Sequence, residues 1–182
     1  MTTLSFAVRS LQRACTAQAH VESPLGDVLL ARTSAGLAGV WFIGQKDHPG
    51  TLSASERRDD PLLAATSAQL AEYFAGRRNI FDLALDLQGT PFQCAVWRAL
   101  LSIDAGSTRS YADIAMQIGA PTAARAVGAA VGKNPLSVIV PCHRVLGGSG
   151  GLTGYAGGLD RKRALLSLEG VLPLAIIEAA WA

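Results

Sequence analysis

The sequence predicts an α/β amino-terminal domain, residues 1–88, followed by a mainly α carboxy-terminal domain with a helix-turn-helix, residues 89–182. Three observations predict this division. The first half alternates short apolar stretches with turn residues, the second half carries helix-like stretches, and the segment QGT separates them. Hydrophobic residues make up 49% of the chain, so a sizeable core can form without disulfides.

The chain begins with a sheet-like pattern. Residues 19–44 hold three apolar stretches separated by the turn segments SPLG and TSAG, which is typical of an antiparallel meander. Residues 46–60 are polar and predict an exposed loop.

A helix and a further strand complete the predicted first domain. Residues 61–79 place Leu63, Leu70 and Tyr73 at helical spacing, with Gly76 near the end. Residues 80–87, IFDLALDL, alternate apolar and polar side chains and therefore predict a strand.

The second half begins with helix signals. Thr90 is a predicted N-cap with Pro91 at the first helical position. Ser110 is a predicted cap for a second helix, with Asp113 in the capping-box position. A third helix follows a turn around residues 119–121 and ends at Asn134, so these last two helices form a helix-turn-helix pattern.

The second helix of that pair is unusually bare. Alanine and glycine, among them Ala124 and Gly128, occupy most of it, and Arg125 and Lys133 are its charged residues. A tightly packed core helix and a helix that approaches DNA closely explain this composition equally well. Arginine and apolar side chains are those that enter a minor groove or a vacated base stack.

Charge and cysteine content narrow the function classes. Residues 91–170 carry 8 basic and 4 acidic side chains, whereas residues 1–90 carry 8 basic and 9 acidic side chains, so a polyanion partner fits the second half.

No apolar run reaches the length of a membrane span, and the apolar tail is expected to dock on the core. The three cysteines form no CxxC pair, which argues against disulfides and zinc. We expect an intracellular protein with an irregular amino terminus and no metal.

The segment SVIVPCHRV, residues 137–145, carries the candidate chemistry. A buried structural cysteine is the plain interpretation of Cys142. The proline before it, however, ends the predicted strand and allows Cys142 and His143 to share a pocket. Histidine can then take the thiol proton, because the thiolate is the nucleophile. Glu169 is a candidate to orient the imidazole.

Several motifs in order resemble one family. PCHRV, with SYADIA, RAVGAAVGKNP and GYAGG around it, closely resembles the O6-alkylguanine-DNA alkyltransferases, the methylated-DNA–protein-cysteine methyltransferases, over about residues 88–170. The family's amino-terminal domain, a ribonuclease-H-like layer, is compatible with the strands and helix predicted above. The resemblance implies irreversible, single-turnover transfer of an alkyl group from O6 of guanine, or O4 of thymine, in double-stranded DNA to a cysteine, with no cofactor.

The resemblance also implies catalytic roles. Cys142 is the expected alkyl acceptor, His143 the water-mediated base and Glu169 the residue that holds it. Tyr111 matches the tyrosine that donates a proton toward the leaving guanine.

Further matches concern DNA and the base pocket. Arg125 matches the arginine finger that fills the gap left by a flipped nucleotide, and Asn134 the asparagine that ties the helix-turn-helix to the active-site loop. Val145 is expected to offer a backbone carbonyl to guanine. Tyr155 and Ala156 belong to the pocket-side loop, and Ala156 departs from the serine of several family members. We expect a cytoplasmic monomer, nuclear in a eukaryote.

Alternatives remain at this point. The basic cluster at residues 160–163, DRKR, is most simply a solvated helix start, and Glu169 could equally be a surface acid. A non-catalytic protein that binds alkylated DNA fits the resemblance but not the presence of Cys142. A cysteine hydrolase fits Cys142 and His143 but has no need of a helix-turn-helix.

Overall fold

The computed structural model describes residues 11–173. Its first half contains a four-stranded sheet in the order β3-β2-β1-β4. The strands are β1 (Ala17–Val21), β2 (Val28–Arg32), β3 (Leu37–Phe42) and β4 (Ser55–Glu56). The first three pair antiparallel in sequence order, as the turn segments between them predict, and β4 runs parallel to β1. The meander prediction is therefore confirmed.

Helix α1 (Pro61–Phe74) packs on β1 and β2. Its first turn is fixed by Asp60, whose carboxylate accepts hydrogen bonds from the amides of Leu62 and Leu63. The predicted apolar stripe faces the sheet, and Tyr73, at the end of the helix, is only 2% exposed. That position brings Tyr73 to the boundary with the second half of the chain.

Two sequence predictions for this domain are wrong. Residues 80–87 form no strand but an extended segment with a single bridge to β3, between Leu85 and Leu37. The free edge of β3 is shared, because Val40 pairs with Leu136 of the second half, so too little edge is left for a full strand. Residues 46–60 are not a wholly exposed loop, since they contain β4 and bury Leu52 in a small second core.

The second half is mainly helical. Its elements are α2 (Pro91–Leu100), β5 (Arg109–Ser110), α3 (Tyr111–Gln117), α4 (Ala124–Gly132), a 3-10 turn (Cys142–Arg144), β6 (Val145–Leu146) and α5 (Leu159–Leu168). The N-cap predicted at Thr90 and the capping box predicted at Ser110 are both present, so the starts of α2 and α3 are confirmed.

Helices α3 and α4 form the predicted helix-turn-helix. Gly119 in the turn has φ of 72°, a conformation that glycine adopts without strain. Helix α4 buries Val127, Ala130 and Val131 against its neighbours, and the indole of Trp97 in α2 donates to the carbonyl of Ala130 at 2.9 Å. The opposite side of α4 stays open, so the helix is packed on one side and bare on the other.

Two predictions concern the ends of the chain and fall mostly on residues that the structure does not describe. The irregular amino terminus falls largely on residues 1–10, and the docked tail largely on residues 174–182, both outside the described residues. Within residues 11–173, no helix combines the length and apolar character that a membrane crossing requires.

Candidate active site

The cysteine lies in a buried turn between α4 and β6. Residues 137–140, expected as the end of a strand, form turns instead, and Val138 takes the left-handed conformation at φ of 71°. The strand interpretation is wrong because, among the described residues, the bridge from β3 joins Val40 to Leu136, just before this stretch, and goes no further. The 3-10 turn that follows buries Cys142, His143 and Arg144 together, with no side chain more than a few per cent exposed.

Asn134 fixes this turn from the end of α4. Its amide nitrogen Nδ2 donates to the carbonyl of Val140 at 2.9 Å and to the Sγ of Cys142 at 3.1 Å. Its Oδ1 accepts from the amide of Leu136 at 3.0 Å. One side chain therefore sets both the path of the loop and the position of the sulfur.

The thiol of Cys142 is held in its neutral form. Burial raises its pKa, and this effect outweighs the hydrogen bond from Asn134 and the charge of Lys162, which both lower it. A thiol in such surroundings needs a base at the moment of reaction, because the thiolate is the reactive species.

His143 is held as a neutral imidazole with a defined tautomer. Desolvation lowers its pKa, although the Glu169 carboxylate works in the opposite direction. Nε2 of His143 lies 2.9 Å from Oε1 of Glu169. Hydrogen bonds to His143 and Arg144 keep the pKa of Glu169 below its usual range despite burial, so Glu169 is ionised and Nε2 carries the proton. Nδ1 is then the free acceptor, and it contacts no hydrogen-bonding group of the described residues.

Glu169 collects hydrogen bonds from three side chains. Arg144 donates Nε to Oε2 at 2.9 Å and Nη2 to Oε1 at 2.8 Å, and the hydroxyl of Tyr73 donates to Oε1 at 2.7 Å. The carboxylate is 2% exposed, so it is no surface acid. We call Asn134, Cys142, His143, Arg144 and Glu169 the acceptor cluster.

Lys162 is an exception to the interpretation of DRKR as a solvated helix start. Its side chain is fully buried, and its ammonium donates to the carbonyls of Val145 and, at 2.8 Å, Thr153. Burial lowers its pKa from 10.5 to about 8. Arg161 beside it bonds to Leu25 of the first domain and lies 4.7 Å from the Phe42 ring centroid. The prediction fails for Lys162, because this side chain faces the carbonyls of two loops, whereas Asp160 and Arg163 of the same cluster form an exposed pair.

The predicted DNA-contacting residues separate into two places. Ala124, Arg125 and Gly128 line one shallow depression together with Tyr111, the predicted proton donor, and a Cβ on Gly128 would lie 3.7 Å from the Tyr111 ring. Lys133 lies exposed beyond the end of α4 and does not line it. We call Ala124, Arg125 and Gly128 the α4 face.

One backbone carbonyl connects Tyr111, which lines the depression, to the buried Lys162. The carbonyl of Thr153 accepts from the Tyr111 hydroxyl at 3.3 Å and from Lys162. Val145, whose carbonyl was expected to contact guanine, accepts from the same ammonium.

Tyr155 and Ala156 occupy the segment just before α5. Tyr155 packs against the core, and burial raises the pKa of its hydroxyl well above 10.0. The Ala156 carbonyl accepts from the amide of Lys46 at 2.9 Å, so the first domain supports this loop.

Sequence reasoning missed Tyr73, Arg144 and Lys162. For Arg144 a signal existed, because it follows the candidate nucleophile and base directly in PCHRV. Tyr73 and Lys162 gave no comparable signal. A tyrosine in an apolar stripe and a lysine among charged residues are both ordinary.

Two family models match this chain in succession. Residues 18–87 match the ribonuclease-like domain of 6-O-methylguanine DNA methyltransferase, and residues 91–171 match its DNA-binding domain. The chain belongs to the 6-O-methylguanine DNA methyltransferase family. The predicted fold class and the predicted activity, DNA repair by alkyl transfer to a protein cysteine, are thereby confirmed.

Relatives of this family are similar over most of the chain. The methylated-DNA–protein-cysteine methyltransferase of Mycobacterium tuberculosis is 52% identical over 150 residues, which cover 82% of this chain and 89% of that protein. The constitutive enzyme of Bacillus subtilis is 45% identical over 152 residues, covering 81% and 92%. The crystal structure of Mycobacterium tuberculosis OGT in complex with DNA has a TM-score of 0.79 at 48% identity, covering 87% and 96%.

Proposed function

We propose that Cys142 is the single-use acceptor of an alkyl group from O6 of guanine in double-stranded DNA. The observation that carries this proposal is the buried His143–Glu169 pair, whose geometry leaves Nδ1 of His143 as a base in the same turn as the sulfur. No other cysteine of the chain has a histidine neighbour in sequence.

The first step is a proton transfer. The Sγ proton of Cys142 passes through a water molecule to Nδ1 of His143, and the imidazolium formed is stabilised by the Glu169 carboxylate. Asn134 remains hydrogen-bonded to the sulfur and stabilises the thiolate as it forms. Because the resting thiol and the resting imidazole are both neutral, the charge pair is created only when it is used.

The second step is a displacement at carbon. The sulfur lone pair forms a bond to the alkyl carbon while the bond between that carbon and O6 breaks, and its electrons pass to the guanine. Tyr111 donates its hydroxyl proton to the leaving base, which makes guanine a better leaving group. The product at Cys142 is a thioether, which water does not cleave, so each molecule reacts once.

The base must leave the helix before this chemistry can occur. Inside stacked DNA, in-line attack on an O6 substituent is blocked. Flipping the base out of the duplex costs on the order of a few kcal/mol. The α4 face, with small residues that allow close approach and Arg125 exposed, would contact the minor groove and offset that cost. Lys133, exposed beyond the carboxy-terminal end of α4, would contact phosphate.

The pocket for the flipped base would lie between Val145, Tyr155 and Ala156, close to Cys142. Asn134 contributes by shaping the loop beneath it. We further propose that the protein acts as a monomer, in the cytoplasm or in the nucleus of a eukaryotic cell.

Intact-protein mass spectrometry tests the acceptor. The protein is incubated with a duplex that contains O6-methylguanine, and we expect the mass of one methyl group on Cys142, stoichiometric with protein. Cys142→Ala is expected to gain no mass while it still binds the duplex. Cys94→Ala is the matched control, because Cys94 is also buried yet its sulfur contacts the Leu87 carbonyl instead.

Three results would contradict the proposal. Transfer by the Cys142→Ala variant would place the acceptor elsewhere. An unchanged mass of the wild-type protein in excess damaged duplex would exclude alkyl transfer from O6. Repeated turnover without modification of the protein would indicate a hydrolase.

A further inference from the structure

We infer that Tyr73, a residue of the amino-terminal domain, is a positioning residue for alkyl transfer, because its hydroxyl holds the Glu169 carboxylate against His143. This inference rests on the proposed roles of His143 and Glu169. It gives the first domain a direct part in the reaction: α1 supplies one of the groups that define the base.

The contact is short and dry. The Tyr73 hydroxyl lies 2.7 Å from Oε1 of Glu169, across a separation of 96 residues in sequence. Both side chains are 2% exposed. The direction of the bond is set by the charge of its acceptor: burial and the Glu169 charge raise the pKa of Tyr73 far above its usual range, so the phenol keeps its proton and donates it.

The donors to Glu169 are concentrated on one oxygen of its carboxylate. Oε1 receives the Tyr73 hydroxyl, Nε2 of His143 and Nη2 of Arg144, whereas Oε2 receives Nε of Arg144. The Tyr73 hydroxyl therefore holds the same oxygen that faces His143, and its removal lets the carboxylate rotate away from the imidazole.

The tyrosine ring is itself held in place. It lies 5.5 Å, centroid to centroid, from the rings of both Phe74 and Phe81. The helix that carries it is fixed at its start by Asp60 and packed on the sheet. A phenylalanine at position 73 would keep these ring contacts, so Tyr73→Phe removes the hydroxyl alone.

A control for lost stability is available in the same domain. The hydroxyl of Thr33 donates to the Asp86 carboxylate at 2.6 Å, and Thr33 is 4% exposed. Thr33→Val therefore removes a comparable hydroxyl–carboxylate bond that lies outside the acceptor cluster.

The experiment measures single-turnover methyl transfer from an O6-methylguanine duplex with protein in excess, together with the Kd for the same duplex. We expect Tyr73→Phe to slow transfer by about 3- to 10-fold without a change in Kd, and Thr33→Val to leave the rate unchanged. The loss should depend on Glu169, so Tyr73→Phe/Glu169→Gln should be no slower than Glu169→Gln alone.

The pH profile gives a second measurement. The charged groups that face His143 are Glu169, Arg144 and Lys162. With the carboxylate turned away from Nε2, the imidazolium loses part of its stabilisation, so the pKa of His143 should fall and the rising limb of rate against pH should move to lower pH.

The outcomes separate the two proposals. If Glu169→Gln transfers at the wild-type rate, the proposed role of Glu169 is wrong. If Glu169→Gln is slow but Tyr73→Phe is not, the inference about Tyr73 alone is overturned. Equal slowing by Tyr73→Phe and Thr33→Val, or additive losses in the double variant, would also overturn it, because both would indicate a general loss of stability.

Discussion

The acceptor cluster and the α4 face lie in the same domain but satisfy their polar groups in opposite ways. In the cluster, Arg144 is 5% exposed and donates to Glu169 and to the carbonyl of Ile103. On the α4 face, Arg125 is exposed and makes no hydrogen bond or ion pair with any residue of the described part of the chain. The groups proposed for the chemistry are therefore already paired within the protein, whereas the arginine proposed to contact DNA is left without a partner in the described part of the chain.

The largest expected effect comes from a substitution in the acceptor cluster. Arg144→Met leaves Glu169 buried with a charge that lacks its main partner, and removal of one member of a buried pair costs about 3–5 kcal/mol. We expect the free energy of unfolding in urea to fall by this amount. Arg163→Met, which breaks an exposed pair with Asp160, should cost about 0–1 kcal/mol. Similar losses in both variants would remove the distinction between buried and exposed charge.

Asn134→Ala should have the next largest effect. The variant loses the bonds that hold Leu136, Val140 and the Cys142 sulfur, and a buried amide of this kind contributes about 1–3 kcal/mol. Transfer should also slow, because the Asn134 hydrogen bond lowers the thiol pKa. Asn79→Ala, an exposed position, is the control. A slow transfer with unchanged stability would mean that Asn134 acts on the sulfur alone.

Arg125→Ala tests the α4 face. We expect repair of a duplex to slow by roughly tenfold, the equivalent of one charge-assisted contact. Transfer from O6-methylguanine in single strands should change little, because no stack is left to fill. Arg58→Ala, an exposed arginine of the first domain, should alter neither rate. Equal losses on duplex and single strand would argue against a finger role.

The pH dependence of stability gives a smaller effect. The folded state keeps His143 neutral with a pKa below 6.5, so the unfolded chain binds more protons than the folded chain at lower pH. Stability should therefore fall by about 1 kcal/mol between about pH 7 and about pH 5.5. The Glu169 contribution is present above its unfolded pKa and is lost at still lower pH. His143→Gln should flatten the first part of the curve, and an unchanged curve would place the titration elsewhere.

Gly128→Ala should have the smallest effect, and it should change stability and DNA affinity in opposite directions. The added Cβ meets the Tyr111 ring at an ordinary 3.7 Å, so the helix should gain about 0.5–1 kcal/mol of stability. The same methyl group lies on the α4 face and should weaken duplex binding. Unchanged affinity, measured by fluorescence anisotropy, would mean that small residues there serve packing only.

The sequence predicts elements where local chemistry decides them. The caps at Thr90 and Ser110 and the meander of β1 to β3 depend on neighbours within a few residues, and all were predicted correctly. Residues 80–87 show the limit. Their alternation is real, but pairing depends on the edge of β3, which Leu136 shares from about fifty residues further along the chain.

The site divides in the same way. Cys142 and His143 are adjacent, so their place in one turn can be predicted from the sequence. Tyr73 meets Glu169 only because α1 packs at the domain boundary, and Lys162 is buried only because two loops turn their carbonyls toward it. Sequence position carries no information on such long-range contacts.

The neutral, 3% exposed thiol of Cys142 bears on how long an unused molecule lasts. A reagent that works once is wasted by any peroxide or stray electrophile that reaches it first, and such side reactions need an accessible thiolate. Burial therefore protects the unreacted protein: the thiol stays unreactive toward solutes until a damaged base is bound, and the sulfur remains available for alkyl transfer.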